Sequence, residues 1–181
     1  MSTCMTPSAA DMQALWKLSR YYEPMRCDCE VTRTDAINLD SLLSLEMRSW
    51  YASMLTRLEG ADLPLTDVTD LLSVTPVEGG LAAAIPEKVM RVVTVEVEGW
   101  TSPARIVTDL TQPLNVALTN PFSCPQGASP AAEIHPGVLT LRSPQGKSLK
   151  LRRVLAAVMP GPDGPYPLSP AMLAELTEKT Y

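Results

Sequence analysis

Apolar residues return along this chain in two rhythms, first at steps of three and four, later at steps of two. The stretch "SAADMQALWKLSRYY" opens on Ser8, with Asp11 three residues on, a variant of the helix capping box. Ala14, Leu15 and Leu18 form its apolar stripe beside Met12 and Trp16, and Pro24 sets its limit. "MRCDCEVTRTD" has no period and reads as an extended connection. In "NLDSLLSLEMRSWYASMLTRLEG", Leu39, Leu43, Met47, Trp50, Met54 and Leu58 follow helical spacing, widened by Leu42, Leu45 and Leu55. Asn38 or Asp40 is its expected cap and Gly60 its stop. Trp50 and Tyr51 have the look of a ligand platform, but at this spacing they are read as core or interface packing. "LPLTDVTDLLSV" reads as a short helix between Thr66 and Pro76, and "PVEGGLAAAIP" as a loop.

The second rhythm begins after that loop. In "IPEKVMRVVTVEVEGWTSPARIV", Val89, Val93, Val95 and Val97 fall on one strand face, with Arg91 among them. Met90, Val92, Thr94, Glu96 and Glu98 fall on the other. "EGWTSPA" is a turn in which Gly99 supplies backbone freedom, and "ARIVT" is a second strand. "DLTQPLNVALTNPFSCPQGASPAAEIHPG" reads as mostly irregular, and segments of that length usually bind or bridge. "GVLTLRSPQGKSLKLRRVLAAV" is expected to be a hairpin, Val138–Arg142 returning as Leu149–Val158. "MPGPDGPYPLSP" reads as a stiff linker to a last helix, capped by Ser169, begun by Pro170, and apolar at Met172, Leu173 and Leu176.

These elements predict an α+β fold, with a helical N-terminal half packed with a mainly antiparallel β C-terminal half and a terminal helix. The expected divisions are a helical region over 1–78, a β-rich region over 79–162 and a C-terminal helical arm over 163–181. The 181 residues suffice for one domain with a small appendage. A single Phe among 5% aromatics leaves the core to Leu, Val, Ala and Met.

Charge narrows the function. The net charge of −5 lacks the cationic surplus of a nucleic-acid reader. Lys147, Lys150, Arg152 and Arg153 form the densest basic cluster, which alternation splits over two strand faces, so it reads as solvated surface. No apolar run is long enough for a membrane span, and the N-terminus lacks a signal peptide, so a reducing cytoplasm is the expected place of synthesis. Cys4, Cys27, Cys29 and Cys124 include a C-x-C pair rather than a metal knuckle, and free thiols are expected. His135 has no nucleophile-elbow motif nearby, neither Gly-rich stretch has phosphate-loop spacing, and Glu96 with Glu98 reads as solvated alternation. The expectation is therefore no enzyme, with no catalytic, cofactor-binding or metal-binding residue.

The order of helical half, "IPEKVMRVVTVEVEGWTSPARIV", "QPLNVALTNPFSCPQGASPAAEI", "GVLTLRSPQGKSLKLRRVLAAV" and "LSPAMLAELTEKTY" resembles that of tailed-bacteriophage structural proteins. The likeness is to head-to-tail connector, adaptor or neck-ring proteins of short-tailed and crAss-like gut Bacteroides phages, over residues 38–181. It rests on an I-P then R-V-x-x-V segment before a Gly-Trp turn, an Asn-Pro-Phe and a short hairpin. The resemblance implies a virion neck subunit without catalysis. It would form a homo-oligomeric, commonly dodecameric ring between portal and tail proteins, through which DNA slides unread. The expected interface residues are Trp50, Tyr51, Trp100, Asn120, Pro121, Phe122, Met172, Leu173, Leu176 and Tyr181. The alternatives are a head-completion or minor tail protein without its own ring, and a bacterial peptide- or protein-binding module.

Overall fold

A computed structural model describes residues 4–20, 39–77, 80–100, 102–108, 131–135, 137–142 and 149–178. It is an α+β fold with helices at both ends of the chain and two mainly antiparallel sheets between, as expected. The helices are α1 (Ala9–Arg20), α2 (Leu39–Arg57) and α3 (Pro170–Glu178). The strands are β1 (Leu65–Asp67), β2 (Ser73–Val77), β3 (Gly80–Ala84), β4 (Val89–Val97), β5 (Arg105–Val107), β6 (Ala131–His135), β7 (Val138–Arg142) and β8 (Leu151–Val158).

The chain divides into two compact units, residues 1–64 with 159–181, and residues 65–158. The expected divisions at 78 and 162 fall elsewhere. Strands β1 and β2 already belong to the β unit, and the chain from Met159 onward belongs with the N-terminal helices.

The helical unit begins with the predicted cap. The Asp11 N–H donates to Ser8 Oγ at 3.2 Å, and that hydroxyl donates to the Asp11 carboxylate at 2.7 Å. Burial in α1 is narrower than the predicted stripe, with Met12 and Trp16 inward and Leu18 70% exposed. In α2, Leu43, Met47, Trp50, Tyr51, Met54 and Leu55 are buried, whereas Leu42 and Leu45 are exposed. The segment read as a stiff linker is instead part of this core. Met5 and Leu168 exchange both backbone hydrogen bonds, the Tyr166 N–H donates to the Pro7 carbonyl, and Tyr166 and Leu168 are fully buried. Proline removes donors and conformers but leaves carbonyls, and the Pro160 and Pro167 carbonyls accept from Arg48 and Tyr51 while Tyr166 and Leu168 keep the N–H donors the segment uses. Helix α3 follows as predicted, the Met172 N–H donating to Ser169 Oγ at 3.3 Å with Pro170 at the first helical position. Met172 and Leu176 are buried, and Arg57 pairs with Glu175 at 2.8 Å. The expected arm is therefore folded back onto the helices.

The β unit holds a three-stranded sheet, β1-β8-β4, and a five-stranded sheet, β2-β3-β7-β6-β5. Only β5 and β6 pair parallel among the described strands. Both sheets contribute to one core: Val92, Val95, Val97, Val154 and Ala156 from the first, and Leu81, Ala83, Ala132, Leu139 and Leu141 from the second. The short helix expected over "LPLTDVTDLLSV" is replaced by β1, a 3-10 turn at Thr69–Leu71 and β2. The supposed loop after it contains β3, and Pro76 stands opposite Leu81 on an edge strand, where a missing donor is tolerated. "AAEIH" is likewise a strand, β6, rather than irregular chain.

The predicted hairpin of residues 138–158 does not form, because its strands lie in different sheets. Strand β7 pairs with β3 and β6, and β8 with β1 and β4. Strand β6 pairs with β7 through His135 opposite Val138, with Gly137 at φ 77° at the connection. Strand β4 departs from strict alternation too. Its register against β8 shifts between Val92 and Thr94, so Val93 is extra and burial passes from Val92 to Val95 and Val97.

Candidate functional site

The sequence of β4 and the corner after it build one side of a concavity in the β unit. β4 is nine residues long and lies at the edge of its sheet. At the corner, Gly99 takes φ 82° and the Trp100 N–H donates to the Val97 carbonyl at 3.2 Å. The chain then turns back beside β4, and the Ala104 N–H donates to the Val95 carbonyl at 2.7 Å. From that point β4 and β5 diverge. The bulge at Val93 helps to turn β4 away, as bulges bend the strand that holds them.

The divergence leaves a groove of about 900 Å³. Val89–Val93 form one bank, Ile106 and Thr108 the other, and Ile85, Pro86, Glu87, Ile134, His135 and Gly137 close it. Its end is fixed by the Ile85 N–H donating to the Gly137 carbonyl at 2.8 Å, and by the Val89 N–H donating to Pro86 at 2.9 Å. The lining mixes branched aliphatic side chains with the polar groups of Glu87, Arg91, Thr108 and His135.

His135 stands in the wall, half-buried, with its Nε2 2.6 Å from Oε1 of the buried Glu133. Residues two apart on a strand share a face, which brings the pair together. The carboxylate orients the imidazole, as in the orienting half of a nucleophilic triad. Among the described residues no hydroxyl or thiol is hydrogen-bonded to that imidazole. No group of three or more His, Cys, Asp or Glu side chains suited to a metal ion occurs among the described residues.

The expected interface residues fall in several places. Trp50, Tyr51, Met172 and Leu176 are core residues of the helical unit, and Leu173 is half-buried there. They are buried because this chain supplies their partners: Trp16 lies 5.4 Å from Trp50, and Tyr166 meets Tyr51 edge-on at 5.2 Å. Trp100 is half-buried against the β core. Asn120, Pro121, Phe122 and Tyr181 lie outside the described residues, as do Lys147, Cys27, Cys29 and Cys124. Cys4 is a free, exposed thiol. The described members of the basic cluster face carboxylates: Lys150 to Glu98 at 2.8 Å, Arg152 to Glu96 at 3.9 Å and Arg153 to Asp67 at 3.5 Å.

The groove itself was not read from the sequence. Its signals were Ile85-Pro86, the break in valine alternation at Val93 and the Gly-Trp corner, which acquire meaning only once β5 is known to join β6. No protein-family model and no curated protein matches this chain. No helix of the described residues is long and apolar enough to cross a membrane.

Proposed function

We propose that the protein is a non-catalytic subunit of a virion neck, a connector or adaptor that joins portal to tail in a ring of identical copies. The observation that supports this reading is the position of β4, nine residues long, as an outer strand of its sheet among the described residues. A long outer strand invites another chain, and folded proteins that stay alone usually blunt such edges. A ring subunit needs two different faces, one for each neighbour, in a heterologous contact that closes. The pairing of the surface cations Lys150, Arg152 and Arg153 with carboxylates suits a channel along which DNA slides without adhering.

The test is the mass of the purified protein, alone and mixed with candidate portal protein, together with an image of the product. The expected result is a ring seated on the portal. A monomer that ignores portal and tail proteins overturns the reading. The same edge supports a second reading, a peptide- or protein-binding module that stays monomeric, and the mass separates the two.

A further inference from the structure

Residues 4–20 form an N-terminal arm in two parts, a strap over Cys4–Pro7 and helix α1. The strap runs antiparallel to Tyr166–Leu168. Met5 and Leu168 exchange backbone bonds of 3.1 and 2.7 Å, and the Tyr166 N–H donates to the Pro7 carbonyl at 2.9 Å. Cys4, Met5 and Thr6 are exposed, so the strap is held through its main chain, as an added strand is. Pro7, Met12 and Trp16 are the buried residues of the arm, and the Trp16 ring lies 5.4 Å from that of Trp50 on α2. Gln13 donates to the Asp40 carbonyl at 3.2 Å, and Lys17 pairs with the Asp40 carboxylate at 2.7 Å.

We infer that this arm exchanges between copies of the chain, residues 4–20 of one copy occupying the seat that α2 and Tyr166–Leu168 form in the next. The length of chain between arm and seat carries the inference. Lys17 in the last turn of α1 touches Asp40 in the first turn of α2, yet the sequence places 18 residues, 21–38, between the two helices. Helices that pack as neighbours are ordinarily joined by roughly two to eight residues. Fully extended, 18 residues reach about 60 Å, ample for a neighbouring copy. A longer tether also weakens the hold within one chain, because the local concentration of a tethered group falls as its tether lengthens.

The seat is matched to this arm rather than to an arbitrary strand. Met5 opposite Leu168 sets the register, Met12 and Trp16 stand one helical turn apart, and Lys17 meets a carboxylate. A second copy of the chain brings all of these at once. It makes the same backbone bonds, ring contact and ion pair, so exchange needs no new surface. Arm and seat are different faces, so exchange joins copies head to tail, and such a contact closes into a ring. The inference rests on the assembly reading and names the contact between its neighbouring subunits.

The experiment uses the full-length chain carrying Cys4→Ser, Cys27→Ser, Cys29→Ser and Cys124→Ser. Thr6 stands opposite Pro167, between the Met5–Leu168 and Pro7–Tyr166 bonds. Thr6→Cys and Pro167→Cys are placed on separate chains, which are co-expressed, purified together and oxidised. A disulfide joining the two chains requires the strap of one copy on the seat of the other. The expected result is that mixed dimer as the main product, and covalent multimers from a chain that carries both substitutions. A doubly substituted chain that closes on itself as a disulfide-bonded monomer overturns the inference, and so does a mixture that forms no disulfide. A second measurement avoids any change at Pro167: Met5→p-benzoylphenylalanine, at an exposed position, is photolysed in a mixture of light and isotope-labelled copies assembled together. Crosslinks between light and labelled chains support exchange, and crosslinks confined to single chains overturn it. A ring on the portal with every arm crosslinked to its own chain keeps the connector reading and removes this one. Exchanged multimers that ignore the portal do the reverse.

Discussion

The Tyr51 hydroxyl donates a hydrogen bond of 2.7 Å to the Pro167 carbonyl, joining the middle of α2 to a segment 116 residues later. Tyr51 is fully buried, and its ring meets Tyr166 edge-on. Burial, first, with Cys4 and Tyr166 adding to it, holds this phenol far above its ordinary pKa. The raised value stabilises the fold fully below the unfolded phenol pKa of about 10. That stability is lost progressively as pH rises above this value. Tyr51→Phe should cost about 1–2 kcal/mol at neutral pH, by leaving a carbonyl without its donor. It should also flatten the fall in stability at alkaline pH, measured by denaturant melts of both proteins across that range.

Arg48 grips the same segment from the next turn of α2. Its Nη1 donates to Tyr166 Oη at 2.7 Å, and Nη1 and Nη2 both donate to the Pro160 carbonyl at 3.3 Å. Arg48→Met should destabilise the helical unit by roughly 2 kcal/mol, because hydrogen bonds from a charged donor are lost. Arg48→Lys should recover little, since one ammonium cannot reproduce the fork. Truncation after Pro160 should be more severe, because it removes Tyr166, Leu168, Met172 and Leu176 from the core. The near-ultraviolet circular dichroism of Trp16 and Trp50 is the measurement, and its loss on truncation is the expected outcome.

How much of this was legible depends on how local each cause is. The Ser8 and Ser169 caps, the α2 stripe and the Gly99 turn are decided within a few residues, and all were readable. Partner choice was not. Nothing near Val138 or Leu151 says that one strand joins β3 and β6 while the other joins β1 and β4. "LPLTDVTDLLSV" has apolar spacing that fits a helix, yet β8 captures Leu65–Asp67 as an edge strand. Tertiary pairing overrides weak local preference in such short segments. "GPDGPYPLSP" looked like linker by composition, and only Tyr166 and Leu168 hinted that it docks.

Thr69 is a second small joint. Its Oγ1 accepts from the Val154 N–H at 2.8 Å and donates to Asp67 Oδ1 at 2.5 Å, so a buried strand is tied to the turn before it. Thr69→Val keeps the shape and removes both bonds, stranding the Val154 donor. A loss of about 1–3 kcal/mol is expected, whereas Thr69→Ser should cost far less. Side-chain and backbone hydrogen bonds from Thr69, then the nearby Arg153, hold Asp67 below the usual carboxylate pKa. Its contribution is present above the unfolded value of about 4 and is lost as pH falls through the lower folded value. Acid unfolding of Thr69→Val should therefore depend less on pH in that window than that of the parent.

Gly99 offers the sharpest test of the corner that aims β5 away from β4. Its φ of 82° lies in the left-handed region, and no heavy atom lies within 4 Å of the position a Cβ would occupy. A substitution there meets backbone strain alone, without a steric clash. Gly99→Ala should cost on the order of 1–2 kcal/mol. Gly99→Asn should cost less, since asparagine tolerates this conformation better than alanine. Thermal melts of the two variants check the order. Equal losses for Ala and Asn would show that the corner does not depend on the left-handed backbone that Gly99 supplies.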